Sequence, residues 1–210
     1  MDFVFSVVGF VIIQSITGQS EINPTYGFIA LAKTDYFTLL ANMKKTILLS
    51  DISIRTELRP GDIGYITYLH GILYSREHGF GISFESYVAS GLHDFYQQYD
   101  SEKDCVWVCE HEDKMVGFLL LMHRPGNAAQ LRYFILHPEY RGIGLGTKLM
   151  NFFMDYFHAK GYRSAFLWTT SGLPAAAHLY KSRGFVMTEE SDSTAFGKLL
   201  KEQRYELVVV

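Results

Sequence analysis

The stretch Gln130-Leu-Arg-Tyr-Phe-Ile-Leu-His-Pro-Glu-Tyr-Arg-Gly-Ile-Gly-Leu-Gly-Thr147 constrains the fold of this chain more than any other. It reads as a short apolar strand, a Pro-containing turn, and a glycine-rich loop that opens a helix. Gly142, Gly144 and Gly146 stand at alternate positions and leave the backbone N–H groups uncovered by side chains. At a helix N-terminus such groups, together with the helix dipole, form an anion site, and Arg141 adds a positive charge. A pyrophosphate suits it. A dinucleotide fingerprint, G-x-G-x-x-G near the start of a βαβ unit, is one residue longer than Gly142-Ile-Gly-Leu-Gly146 and belongs early in a chain. A Walker A loop needs Gly-Lys-Ser/Thr, and the triplet here is Gly146-Thr147-Lys148. Glycine spacing alone leaves nucleotide, dinucleotide and coenzyme A open.

A chain of 210 residues, 48% hydrophobic and 20% charged, suits one globular domain with a full core, with or without an appendage. A net charge of -3 gives no basis for binding nucleic acid by bulk electrostatics. Cys105 and Cys109 would lie on one face of an extended strand but about 13 Å apart, too far for a disulfide. Their spacing fits neither a C-x-x-C redox pair nor zinc, so no metal set is expected, and buried free thiols point to a reducing cytoplasm. The apolar run Phe3 to Ile13 is short for a membrane span, and Asp2 ahead of it is the wrong charge for a signal peptide. A buried or partner-facing segment is the expectation, with targeting or a misplaced start codon as alternatives.

Residues 1–50 otherwise carry no legible motif; Leu31 to Leu40 allows a short amphipathic helix. From Asp51 the texture changes. Ile52 to Leu58 alternates like a half-buried strand, Asp62 is placed to cap a helix to about Tyr74, and Ser83 to cap a second helix. Cys105 to Glu110 and Met115 to His123 predict a β-hairpin, which leads into the strand of the glycine stretch. An amphipathic helix to Lys160, a strand over Ser164 to Thr169, and a helix from Ala175 to Arg183 come next. Phe185 to Glu189 and Tyr205 to Val209 close the chain. The order is β-α-α-β-β-β-α-β-α-β-β, a mixed α/β sheet with parallel pairing only around the glycine loop.

Two motifs in register resemble the GNAT superfamily of N-acetyltransferases. Arg141-Gly-Ile-Gly-Leu-Gly146 is similar to its Q/R-x-x-G-x-G/A motif, and Tyr180-Lys-Ser-Arg-Gly184-Phe185 to its helix-ending Tyr-x-x-x-Gly-Phe. The resemblance covers about residues 51–210, leaving 1–50 as an extension. It is closer still to domains found fused behind MarR-type winged helices, through Arg59 to Gly64, Tyr74 to Gly79, Leu167 to Thr170 and Ala175 to Tyr180.

The resemblance implies the GNAT fold, acetyl-CoA as cosubstrate and a primary amine as acceptor, on a small molecule or a protein. It places the cofactor on the backbone of Arg141, Gly142, Ile143, Gly144, Leu145, Gly146 and Thr147, with the pantetheine arm against Leu136. The strand carrying Leu136 would splay from Ser164–Thr169, helped by a bulge. Tyr180 matches the family's general acid. No carboxylate occupies Gln130 to Leu136, so the base is sought elsewhere, with Glu85 first and Glu77 and Glu110 as alternatives. Leu173 stands where an Asn is frequent, and His137 reads as structural. Tyr74, Phe80, Phe84 and Tyr87 would wall the acceptor. Nucleic acid and membrane partners are not expected, and the resemblance allows a homodimer. A non-catalytic acyl-CoA-binding module is the alternative function.

Overall fold

The computed structural model describes residues 46–208. The chain divides into Met1–Thr46 and Ile47–Val210, and all but the first described residue belong to the second unit. The apolar run at Phe3 to Ile13 and the helix expected over Leu31 to Leu40 lie outside the described residues.

The second unit contains β1 (Ser53–Arg55), α1 (Asp62–His78), α2 (Ile82–Gln97), β2 (Cys105–His111), β3 (Lys114–Arg124), β4 (Ala128–Leu136), α3 (Leu145–Ala159), β5 (Ser164–Thr170), α4 (Pro174–Lys181), β6 (Val186–Ser193) and β7 (Leu200–Val208). This is the order read from the sequence. The strands form one sheet, β1-β2-β3-β4-β5-β7-β6, in which β4–β5 is the parallel pair. The hairpin turn between β2 and β3 places Glu112 and Asp113 at φ 49° and 61°, the positive values that a two-residue turn with matching twist requires.

Strand alternation divides the core into two layers. In β2, Cys105, Trp107 and Cys109 face one side while Val106 and Val108 face the other, and all five are buried. A strand covered on both faces reads as a continuous apolar run, as β2 and β3 do. On one side α3 supplies Leu149, Phe153 and Phe157 at helical spacing; on the other, α1 and α2 supply Ile66, Leu69, Val88 and Leu92. Each such side chain, fully buried, contributes about 1.5–3 kcal/mol. Both cysteines are free thiols inside these layers. No helix among the described residues is long and apolar enough to cross a membrane.

Two irregularities set the shape of the sheet around β4. Phe118 pairs with Ile135, and the next pair is Leu120 with Arg132, so β4 takes three steps while β3 takes two. The extra residue is a β-bulge at Tyr133, whose φ of 54° is uncommon for a tyrosine. It turns two consecutive side chains, Arg132 and Tyr133, toward the same helices; the Arg132 guanidinium stands 4.6 Å from the Tyr133 ring centroid. Second, β4 pairs with β5 only from Ala128 to Gln130, whereas β5 stays paired to β7 as far as Thr170. Beyond Gln130 the parallel strands part.

Several local expectations need correction. The first strand is three residues, not seven, because Arg55 turns the chain into an ion-pair node: it holds Asp62 at 2.7 Å and Glu110 at 2.9 Å. Asp62 is the first helical residue and not the cap; Gly61, at φ 98°, precedes it, and its carboxylate accepts the Arg59 N–H at 2.6 Å. Helix α1 runs one turn further than expected, to Gly79 at φ 68°. Helix α2 starts at Ile82, so Ser83 lies inside it without a capping bond. Strands β6 and β7 are longer than read, because polar, two-sided strands give little periodic signal.

Two helix glycines separate packing from propensity. A Cβ on Gly91 would stand 2.1 Å from the hydroxyl of Tyr133, a ring fixed by the bulge, whereas one on Gly71 would meet the end of the Glu85 side chain at 2.2 Å. Gly→Ala gains about 0.5–1 kcal/mol in a helix interior. Overpacking a rigid contact costs about 1–3 kcal/mol. Gly91→Ala should therefore lower the urea midpoint, and Gly71→Ala, where Glu85 can swing aside, should leave it unchanged or raise it. Equal effects at the two sites would contradict this account.

Candidate active site

The gap between β4 and β5 opens into a cavity of about 760 Å³. Its lining comes from β4, from α1 and the α1–α2 turn, from the end of β5 and the start of α4, and from the glycine loop ahead of α3. At the loop, Gly142 and Gly144 have φ of 78° and 90°, which excludes most side-chain-bearing residues there. The first backbone bond of α3 runs from the Lys148 N–H to the Gly144 carbonyl. Among the described residues, none accepts a hydrogen bond from the N–H groups of Gly142 through Thr147. The Leu145 side chain is buried and Ile143 packs against the core, so these two expected cofactor residues do not line the cavity. A Cβ on Gly146 would meet Leu136 and Leu179 at 3.6 Å and Phe134 at 3.8 Å, on the cavity side of the loop.

Arg141 is engaged. Its Nη1 is 2.8 Å from a Glu77 carboxylate oxygen of α1, and its Nε donates to the Leu136 carbonyl at 3.2 Å. The His137 N–H bonds the Val116 carbonyl of β3 at 2.8 Å. Alternation therefore points the Leu136 N–H and C=O the other way, into the gap. The carbonyl expected to be open at Leu136 is thus partly taken by Arg141, and the N–H remains.

Tyr180 lines the cavity from α4 at 5% exposure, with ring centroids of Phe185 and Tyr205 at 6.3 and 6.1 Å. Burial pushes its phenol well above the usual tyrosine range, assisted by Tyr74 and Tyr205. The hydroxyl is therefore protonated at neutral pH. Tyr74 is itself pushed up to about 12, mainly by burial. Its ring joins Phe80 at 5.4 Å and Phe84 at 4.6 Å in one wall of the cavity.

The profile of the Acetyltransferase (GNAT) family matches residues 71–185. The chain belongs to this family. Over 97 residues it is 31% identical to the uncharacterized N-acetyltransferase YjgM of Escherichia coli, covering 45% of this chain and 58% of that protein. The chain spans about half the length of the curated relatives it matches. Among solved structures, the Salmonella typhimurium protein yncA, determined with its cofactor acetyl-CoA, shares the fold at TM-score 0.60 and 19% identity over 76% of this chain and 94% of its own. The spermidine N-acetyltransferase of Vibrio cholerae, in complex with CoA and spermine, does so at TM-score 0.54 and 22% identity over 76% and 96%.

Within this GNAT domain the residues singled out from the sequence separate into two groups. Leu136, Arg141, Gly142, Gly144, Gly146, Thr147 and Tyr180 share one cavity, and Leu173, which precedes α4, lines it too. Glu85 does not join them: its carboxylate lies over Gly71, between α1 and α2. Glu110 is held by Arg55 on β2. The carboxylates that line the cavity among the described residues are Glu77, paired with Arg141, and Glu202 of β7. Periodicity does not single out Glu202, because it starts β7 only at Tyr205. The His137 Nδ1 has no hydrogen-bond partner among the described residues and lies 4.0 Å from a Glu139 carboxylate oxygen, and its ring packs beside Tyr140 at 6.0 Å.

His70 is a second residue that sequence reasoning misses. It lines the cavity at 3% exposure, and its Nδ1–H donates to the Ile66 carbonyl at 2.8 Å. Burial pushes its pKa down to about 4 from 6.5. A histidine that must stay neutral when folded binds more protons unfolded between those values. Its contribution, about 3 kcal/mol, is complete above pH 6.5 and is lost as pH falls toward 4. Unfolding free energy of the wild type should therefore drop more steeply between pH 6.5 and 4.5 than that of His70→Phe, measured by urea titration; parallel curves would show that His70 is not the cause.

Proposed function

We propose that this chain is an N-acetyltransferase that moves an acetyl group from acetyl-CoA to a primary amine. One observation carries the reading: a single cavity is lined by Gly142, Gly144, Gly146 and Thr147, whose N–H groups find no acceptor among the described residues, by the open edge of β4 and by Tyr180. The loop suits a pyrophosphate by donors that have no acceptor among the described residues and by the absence of a side chain at Gly146. The Leu136 N–H suits an amide of the pantetheine arm. Bound there, acetyl-CoA supplies the activated thioester.

The chain's residues would do the rest. A lysine-like amine with pKa near 10.4 is about 0.05% neutral at pH 7, so a base must take its proton before nitrogen attacks the acetyl carbon. Glu202 is the cavity carboxylate without an ion-pair partner among the described residues, and we assign it this role, directly or through water. As the new C–N bond forms and the C–S bond breaks, Tyr180 donates its proton to sulfur. A primary amine reaches this point past Tyr74, Phe80 and Phe84. Residues 51–210 are the acetyltransferase domain in this reading and 1–50 an appendage. A closer kinship with domains behind MarR-type winged helices rests on the sequence blocks Arg59 to Gly64, Tyr74 to Gly79, Leu167 to Thr170 and Ala175 to Tyr180. Two buried free thiols favour a cytoplasmic setting.

Acetyl-CoA at 100 times its Kd should stabilise the fold by about 2.7 kcal/mol and raise Tm accordingly. Thiol release with an amine panel should accompany it, and Tyr180→Phe should lower kcat about 100-fold. No rise in Tm would remove the cosubstrate assignment. Tight binding without thiol release on any amine would favour the acyl-CoA-binding module, and an unimpaired Tyr180→Phe would pass the acid role to another group.

A further inference from the structure

Two arginines line the cavity among the described residues, and Arg141 is committed to Glu77 and the Leu136 carbonyl. Arg132 is not so committed. The bulge at Tyr133 holds it on the cavity face, where its Nη2 donates to the Tyr87 hydroxyl at 3.1 Å and its guanidinium stands over the Tyr133 ring. Among the described residues no carboxylate lies within ion-pair distance of it. A guanidinium has five donors, and this one has given one to a hydroxyl, so a planar anion can still be met by a fork. Its neighbour on the same strand face, Gln130, reinforces the sign: both the Nε and Nη2 of Arg124 donate to Gln130 Oε1, at 2.8 and 2.7 Å. With its oxygen taken, the Gln130 amide has only N–H donors left to offer. Beside this cationic end stands an apolar wall, with Phe196 at 4.9 Å from Phe84 and 5.5 Å from Tyr87. Glu202, which also lines the cavity and has no ion-pair partner among the described residues, suits an ammonium group.

We propose that Arg132 reads a carboxylate on the acceptor, so that the preferred substrates are amines bearing an acid group and an aromatic or bulky apolar side chain. This rests on the acetyltransferase reading. Polycationic amines meet the wrong charge at Arg132, so the acceptor class differs from that of the Vibrio cholerae spermidine enzyme. Arg132 binds and orients the acceptor and takes no part in proton transfer.

The test compares phenylalanine and glycyl-phenylalanine with their C-terminal amides, and with spermidine, by thiol release. The acid should exceed its amide roughly 10- to 100-fold in kcat/KM in at least one pair, the range expected of a charge-assisted contact. Arg132→Gln should bring that ratio near one, and Arg132→Lys, which keeps the charge and loses the fork, should fall between. An amide or spermidine that outruns both acids, or a preference that survives Arg132→Gln, would overturn the proposal while leaving the acetyltransferase reading in place. A second arm needs no turnover: calorimetric titration of N-acetylphenylalanine into protein saturated with CoA. Arg132→Gln of unchanged Tm should bind it at least tenfold more weakly than wild type, and equal affinities would also overturn the proposal. Should no amine give thiol release while arginine-dependent binding persists, the carboxylate site stands and the acetyltransferase reading falls.

Discussion

Three residue pairs hold β4 and β5 together, and everything distinctive about this domain depends on their parting beyond Gln130. A strand edge inside a protein carries N–H and C=O groups that must find partners, and a parallel sheet normally supplies them. Here β5 turns its bonds to β7 instead, and β4 leans on β3, with an extra residue at Tyr133 absorbing the change of direction. The bulge and the gap form one device. Without the bulge, alternation would carry Arg132 and Tyr133 to opposite faces, and the wall of the cavity would change its chemistry.

Such a gap is tolerable only because the surrounding layers are rigid. The sheet is packed on both sides, by α3 and α4 on one face and by α1 and α2 on the other, and β3, on which β4 leans, is buried from Met115 to Met122. The Arg55 node ties β1, β2 and the start of α1 into one corner. Arg141 spans from the glycine loop to Glu77 on α1, crossing from one helical layer to the other beside the opening. A cleft whose backbone edge finds no partner among the described residues is thus braced by ion pairs at its flank and by aromatic packing along its wall.

Much of this is legible in the sequence. Long apolar runs with clear breaks give the order of the elements, and glycines at 142, 144 and 146 mark the anion-binding loop, because positive φ and uncovered N–H groups need that residue type. The Tyr180 motif places its side chain in the same cavity. Other features leave no local trace. A bulge built on Tyr133, with neither Gly nor Asn, has no propensity signature, and the side facing its neighbours depends on the register with β3. Glu85 is mis-sited because a helix start tells where a carboxylate lies along the axis but not which neighbour it faces. Glu202 and Arg132 lie on strands whose alternation is polar or interrupted, so burial cannot be inferred from periodicity. His70 lies on α1, which has no strong apolar stripe, and only packing reveals that it is buried.

The rim of the cavity carries one more detail. The α1–α2 turn and the β6–β7 loop are joined by a bond from the Gly81 N–H to the Phe196 carbonyl at 2.9 Å, and by Lys198 Nζ to the His78 carbonyl at 2.7 Å. The first of these is a main-chain bond beside stacked Phe80 and Phe196 rings. It fastens the two loops to each other through main chain, so their spacing does not depend on which side chains line the cavity. That spacing is thereby written into loop length and backbone, so evolution can reset it by insertion or deletion in either loop without altering a residue of the cavity's glycine loop or Tyr180.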